Sequence, residues 1–245
     1  MPTISDTRPG VTRAEATGAR VTAVYPSGPV LPENTLRFYV HFSEPMAAHR
    51  AADFVYLCDD SGRPDRAAFM KFKQELWSAD RTRLTMLVDP GRIKRGVSAN
   101  FELGPALIEG QRYSLVVGGG WPSADGTSSL AAFARPFEVG PALRRQPAVG
   151  QWSWTSPAPG TREPLVVSFD RPFDRHLLSD AIDLVGPSGR RLDGTVRIGR
   201  HEESWSFTPT EAWPADALGI RVADFLEDVA GNDLRELLDR EIEGT

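Results

Sequence analysis

Hydrophobic and polar residues alternate with a period of two along many short stretches of this chain. That spacing turns one face of a β-strand toward a core and the other toward water. The clearest case is residues 35–42. Leu36, Phe38, Val40 and Phe42 share one face there, and Arg37, Tyr39 and His41 share the other. Stretches 20–25, 54–58, 83–88 and 112–117 are equally short and rich in Val, Phe, Tyr and Leu. In the second half, 165–169, 182–185, 195–198, 204–207 and 219–223 read the same way. Turn chemistry separates these runs: Pro26-Ser-Gly-Pro29, Asp59-Asp-Ser-Gly62, Asp89-Pro-Gly91, Ala124-Asp-Gly126, Pro187-Ser-Gly189 and Asp193-Gly194. Two stretches carry a helical expectation. One is 64–74; the other is 233–243, where Leu234, Leu237, Leu238 and Ile242 recur at helical spacing.

The pattern repeats. Val40-His-Phe-Ser-Glu-Pro-Met46 has a partner in Val167-Ser-Phe-Asp-Arg-Pro-Phe173, with Phe42 and Phe169 standing 127 residues apart (169 − 42). A Pro-rich turn precedes each copy, and a late strand in each leads into a corner. The corners are Ala124-Asp-Gly126 and Asp228-Val-Ala-Gly-Asn232. A boundary is expected near residues 140–150, where Gly140-Pro-Ala-Leu-Arg-Arg-Gln-Pro147 reads as a linker.

A Phe-Ser-Glu-Pro-Met stretch followed a domain length later by Asp-x-Ala-Gly-Asn resembles the bacterial immunoglobulin-like domain first described in S-layer proteins. The first copy has the full opening motif and a degraded corner; the second has a weakened opening and the full corner. The resemblance implies an all-β fold: two immunoglobulin-like antiparallel β-sandwiches in tandem. The expected layout is a flexible leader over 1–19, a first sandwich over 20–140, a linker over 141–150 and a second sandwich over 151–245. For the end of the second copy, the resemblance implies a last strand where the spacing predicts a helix. Such domains serve as spacers, stalks or binding modules, and the motifs carry no ligand information. The first copy departs from the pattern through a charged insertion over 89–110 containing Asp89-Pro-Gly-Arg-Ile-Lys-Arg-Gly96. That loop is also similar to one in a group of bacterial proteins that pair it with the Phe-Ser-x-Pro-Met strand, a likeness that implies no activity.

Composition narrows the function. The net charge of −5 supplies no basic field for nucleic acid. No run approaches the roughly 18 apolar residues of a membrane helix, and the polar opening lacks the apolar stretch of a secretory signal. Two settings stay open: the cytoplasm, or export with the signal already removed. Cys58 is the one cysteine, so no internal disulfide forms, and its place at the end of an apolar strand makes it a core residue. The histidines His41, His49, His176 and His201 have no HxH or HExxH spacing, and no metal or cofactor is expected. No Gly-x-Ser-x-Gly elbow or phosphate-cradling glycine loop occurs.

The chemistry that remains is sparse. Arg92, Lys94 and Arg95, bracketed by Gly91 and Gly96, form a candidate clamp for a phosphate or carboxylate; the alternative is a solvated or acid-paired loop. His41, on the polar face of its strand, titrates near neutrality and has Glu44 nearby as a candidate orienting partner. Glu75 and Trp77 precede strand 83–88 and are expected near the inserted loop. Trp152 and Trp154 alternate on one strand. Exposed, they would stack a carbohydrate; buried, they fill a core or the junction between the halves. Two functions follow. The first is a non-catalytic module recognising an anionic small molecule, a carbohydrate or a protein. The second is a small cofactor-independent enzyme with His41 and Glu44 as acid–base pair and Arg92, Lys94 and Arg95 as anion clamp.

Overall fold

In a computed structural model, residues 18–94, 104–186, 188–215 and 219–238 are described. The first half contributes β1 (Val21–Tyr25), β2 (Val30–Pro32), β3 (Arg37–Phe42), β4 (Val55–Asp59), β5 (Pro64–Asp65), β6 (Leu76–Trp77), β7 (Arg83–Leu87), β8 (Arg112–Val117) and β9 (Phe133–Gly140). One sheet runs β1-β3-β7-β6 and its opposite runs β2-β9-β8-β4-β5. Pairing is antiparallel except between β2 and β9. Phe38, Val40 and Leu84 from one sheet meet Leu57, Leu115 and Phe137 from the other in one buried cluster. Trp121 is fully buried there, stacked on Phe54 at 5.2 Å, with its Nε1–H donating to the Ala47 carbonyl. An indole buried with its N–H satisfied contributes its whole apolar area without a polar cost.

The second half contributes β10 (Ser153–Thr155), β11 (Leu165–Ser168), β12 (Ile182–Val185), β13 (Gly194–Ile198), β14 (Ser204–Pro209) and β15 (Gly219–Val222). Its sheets are β10-β11-β14-β13 and a two-stranded β12-β15, enclosing a separate cluster around Val167, Phe173, Ile182 and Trp205. The all-β sandwich class expected from the alternation is what the chain adopts. Corresponding anchors recur in both halves: Met46 bridges Ser123, and Phe173 bridges Asp228. Each corner also carries a glycine in the left-handed region, Gly126 at φ 72° and Gly231 at φ 80°. A side chain at Gly231 would collide with Leu36, whose Cδ2 stands 2.4 Å from the position of a Cβ.

Among the described residues, three short α-helices interrupt the strands: α1 (Ala51–Phe54), α2 (Pro90–Ile93) and α3 (Arg175–Ala181). Asp174 caps α3, its Oδ1 accepting from the backbone N–H of His176 and Leu177 at 2.9 and 3.1 Å. The helix expected over 64–74 does not form. Pro64 and Asp65 pair with Cys58 and Leu57 instead, and long-range strand pairing overrides the local spacing. Residues 233–238 are not helical either. The Asp233 carboxylate accepts from the N–H of Arg235 and Glu236 in a tight turn, and the rest of that expected helix lies outside the described residues.

Candidate functional site

The polar face of β3 is not bathed in water. Tyr39 is buried, Arg37 and His41 are half-buried, and what covers them is the second sandwich. The Tyr39 hydroxyl donates to Asp174 Oδ2 at 2.6 Å, so one carboxylate both caps α3 and holds the neighbouring sandwich. Arg37 pairs with Asp174 at 3.5 Å and with Glu227. Burial alone would lower the Arg37 pKa, but Glu227, Tyr39 and Asp174 outweigh it and raise the value, keeping the guanidinium charged. Burial, reinforced by the Asp174 charge, pushes the Tyr39 phenol up, so it stays a donor.

His41 meets His176 at the N-terminal end of α3. Their rings stack at 18° with Nε2 to Nε2 at 3.3 Å. An Arg83 N–H donates to His176 Nδ1 at 2.9 Å. A guanidinium only donates, so Nδ1 must carry a lone pair, and the His176 proton sits on Nε2, where it is given to His41 Nε2. His41 then carries its own proton on Nδ1. Both imidazoles are held neutral. Burial, Arg83 and His41 pull the His176 pKa down to about 4. Burial, Arg83 and Arg175 lower that of His41, with Asp80 opposing. Arg175 itself lies over the Tyr25 ring at 4.3 Å.

Two further contacts fasten the halves. Glu202 is 1% exposed, and its carboxylate accepts from the Ser27 N–H at 2.6 Å and the Ser27 hydroxyl at 2.7 Å. It sits beside His201, and both residues have φ near +60°, a backbone that costs of order 1–3 kcal/mol and persists only where surroundings enforce it. The connecting segment is bonded on both sides. Asn34 donates to the Leu143 carbonyl and accepts from the Leu143 N–H, and Asn232 donates to the same carbonyl. The linker is therefore clamped between the sandwiches. The Asp-x-Ala-Gly-Asn corner turns on Asp228, which takes the N–H groups of Ala230 and Asn232, and it presents Asn232 to the linker. Leu36 N–H donates to the Val229 carbonyl at 2.9 Å, closing the same seam.

The residues nominated from sequence separate. His41 lies in this junction. Glu44 does not join it: its carboxylate accepts from the Ser128 hydroxyl at 2.9 Å, and no hydrogen bond links it to His41 among the described residues. Glu75 is a structural acceptor, taking the N–H groups of His49 and Ala51 and the Trp77 indole N–H. Trp77 packs beside Phe42 and Trp121. Arg92 is 5% exposed, and its fork is spent on Asp65 at 2.7 Å and the carbonyls of Gly104 and Pro105. It fastens the inserted segment, whose Ile93, Ala106 and Leu107 enter the first core, so Arg92 serves as a core-edge strut. Lys94 follows Ile93, its N–H donating to the Pro90 carbonyl at the end of α2, and Arg95 lies outside the described residues. Trp152 and Trp154 part company: the first is buried and the second is 54% exposed.

Arg83, Asp174 and His176 were not singled out from sequence. The signal for Asp174 was present as an Asp immediately before a short Leu-containing run, an N-cap signature. Nothing local announces that His176 meets His41. Among the described residues, no group of three or more His, Cys, Asp or Glu side chains is placed to hold a metal ion, and no helix is long and apolar enough to cross a membrane.

No protein-family model matches the chain, and no curated protein matches it in sequence. Among solved structures it is similar to the S-layer protein rSbsC(31-844), with 11% identity, TM-score 0.35, and coverage of 84% of this chain and 26% of that one. The N-terminal part of the bacterial S-layer protein SbsC gives 11% identity, TM-score 0.36, and 85% and 44% coverage. Native alpha-2-macroglobulin from Escherichia coli, spanning domains MG0-NIE-MG1, gives 9% identity, TM-score 0.31, and 71% and 47% coverage. The chain spans less than half the length of each of these proteins.

Proposed function

We propose that this chain is a non-catalytic, rigid two-sandwich module that sets the distance and angle between whatever lies on either side of it. The observation that supports this reading is the junction. A spacer of loosely linked domains needs only an exposed, polar linker, and inter-domain motion is then the default. Here Asp174, Arg37, Tyr39, His41, His176 and Glu202 bond across the seam, and Leu143 of the linker is held from both sides. Half-satisfied buried charges are costly and well-satisfied ones fix geometry, so this network specifies one orientation more than it adds stability.

Catalysis finds less support. An acid–base pair must reach one bound molecule, yet His41 is committed to His176, Glu44 to Ser128 and Arg92 to Asp65. The test is a pair of fluorophores, one on each sandwich, at Asp60→Cys and Arg190→Cys in a Cys58→Ser background. Single-molecule energy transfer is expected to give one narrow distance distribution at neutral pH. Asp174→Ala, which leaves Arg37 and Tyr39 without their shared acceptor, is expected to broaden it. A broad distribution in the unaltered chain would remove the rigid-module reading.

A further inference from the structure

Arg37, Arg92 and Arg171 each meet a carboxylate where they enter the seam or a core. Arg83 and Arg175 do not. Both reach the junction, and among the described residues neither forms an ion pair. Arg83 gives one N–H to the lone pair of His176 Nδ1 and stands over Tyr39, its Cζ 5.9 Å from the ring centre. Its Nε–H is enclosed without an acceptor among the described residues. Arg175 makes no hydrogen bond among the described residues, and its guanidinium rests on the Tyr25 ring at 4.3 Å. A ring face and an imidazole lone pair ease a positive charge but do not neutralise it. A half-buried charge without a counter-ion carries a desolvation cost that a bound anion offsets.

Both sandwiches contribute to this cluster. His41 of β3 pairs across the sheet with Arg83 of β7, while Arg175 and His176 open α3 in the other half. The Tyr25 ring carries Arg175 and meets both imidazoles edge-on, at 5.5 Å from His41 and 6.5 Å from His176. All four cationic or imidazole side chains are half-buried, so the cluster is reached from solvent at the rim of the seam. The carboxylates nearby are already taken. Asp174 serves Tyr39, Arg37 and the cap of α3, Glu227 serves Arg37, and Asp80 accepts from Ser78 and Thr82. We infer that Arg83 and His41 of the first sandwich and Arg175 and His176 of the second form a binding site for a small tetrahedral dianion of the sulfate or phosphate kind. The inference rests on the rigid-module reading for its seam and adds an ion that would lock that seam.

Proton uptake would accompany the ion. In the free chain, burial and the two arginine charges hold both imidazoles neutral, with Asp80 opposing at His41 and Asp174 at His176. A dianion beside them favours the protonated rings, and each imidazolium gains an N–H to donate. Protonated His176 has no lone pair left at Nδ1, so the Arg83 donor is released to the ion. The bound state thus takes up protons that the free chain refuses. Binding tightens as pH falls, by up to about tenfold per pH unit for each imidazole protonated.

Sulfate keeps its double charge between pH 5.5 and 7.5, so any pH dependence of its binding belongs to the protein. It is titrated into the full chain while the imidazole NMR signals are followed. Those of His41 and His176 are expected to move saturably, with an affinity at least about tenfold tighter at pH 5.5 than at 7.5. Arg175→Gln and Arg83→Gln should each weaken binding about tenfold or more. Arg112→Gln, which removes an exposed arginine paired with Glu138, should leave it unchanged. The same shifts with chloride at matched ionic strength, or an affinity indifferent to pH, would overturn the inference. So would an Arg175→Gln chain that keeps its amide spectrum and binds as tightly as before, whatever Arg83→Gln does to the fold. The fluorophore pair on the two sandwiches separates this result from the rigid-module reading. One narrow distance distribution with no imidazole shift would remove the ion site and leave the module. A broad distribution with saturable imidazole shifts would do the reverse.

Discussion

Among the described residues, the first sandwich sets five strands against four and the second sets two against four, although both are built on the same bridges and corners. In the first, β9 and the inserted segment after β7 complete the second sheet and cover the apolar face. In the second, Trp213, Leu165 and Ile220 border a groove. The comparison teaches that similar motif residues set the corners of such a domain while the described strands between them are arranged differently.

The largest effect is expected at the junction. Asp174→Ala removes the acceptor of Tyr39, a partner of Arg37 and the cap of α3 at once. Breaking a buried ion pair by deleting one partner costs about 3–5 kcal/mol. Denaturant unfolding followed by tryptophan fluorescence should show this loss and should split one transition into two as the halves uncouple. Retention of a single transition at unchanged midpoint would mean the junction contributes nothing.

Next comes a matched pair inside the two cores. Val40 and Val167 occupy corresponding strand positions and are both fully buried. Val40→Ala is expected to cost about 2 kcal/mol by loss of two methyl groups and the cavity left behind. Val167→Ala should cost about half as much, because its neighbourhood already borders open space and relaxes more readily. Equal losses would contradict the reading that the groove beside Val167 eases relaxation.

Acidification offers a third test. The folded pKa values of His41 and His176 lie below the unfolded value near 6.5, so the unfolded chain binds more protons between the two. Stability should fall as pH drops from about 6.5 toward about 4, by at most about 1.4 kcal/mol per pH unit for each imidazole. Arg83, Arg175 and Arg37 would then face new positive charge, with Asp174 and Asp80 only partly compensating. Glu227 and Asp228, whose pKa values burial raises, act in the opposite sense, so the histidine part must be read by difference. His176→Gln should flatten the dependence of melting temperature on pH between 7.5 and 5. An unchanged slope would remove the imidazole pair from the account.

The smallest effect belongs to Glu44, whose contact with Ser128 is an ordinary peripheral hydrogen bond. Glu44→Gln should shift stability by no more than about 0.5 kcal/mol. A larger loss, with His41 displaced in NMR spectra, would revive a coupling that the geometry lacks.

Alternation made most of the strands legible, since a half-buried strand writes its burial into every second residue. It missed β9, at eight residues the longest strand among the described residues. Pro136 and Arg135 break its apolar rhythm, and its place is fixed by β8 and β2 on either side. It misread 64–74, where a two-residue pairing with β4 outweighs local spacing. For the site, Arg37, Tyr39 and His41 were correctly placed together on one face. What covers that face was invisible, because a junction is set by residues 135 positions apart, as Tyr39 and Asp174 are. Arg92 follows the acid-paired alternative for its loop, but which acid it meets was invisible for the same reason. A cationic run looks solvated until Asp65 and two carbonyls are found around its first arginine.

The central claim, that the two sandwiches move as one body, is tested most directly by ¹⁵N relaxation on the full chain at neutral pH. The account predicts a single rotational correlation time for β3 and α3 and for the strands behind them, matching a 26.9 kDa particle. Two shorter and different correlation times, one for each sandwich, would contradict it.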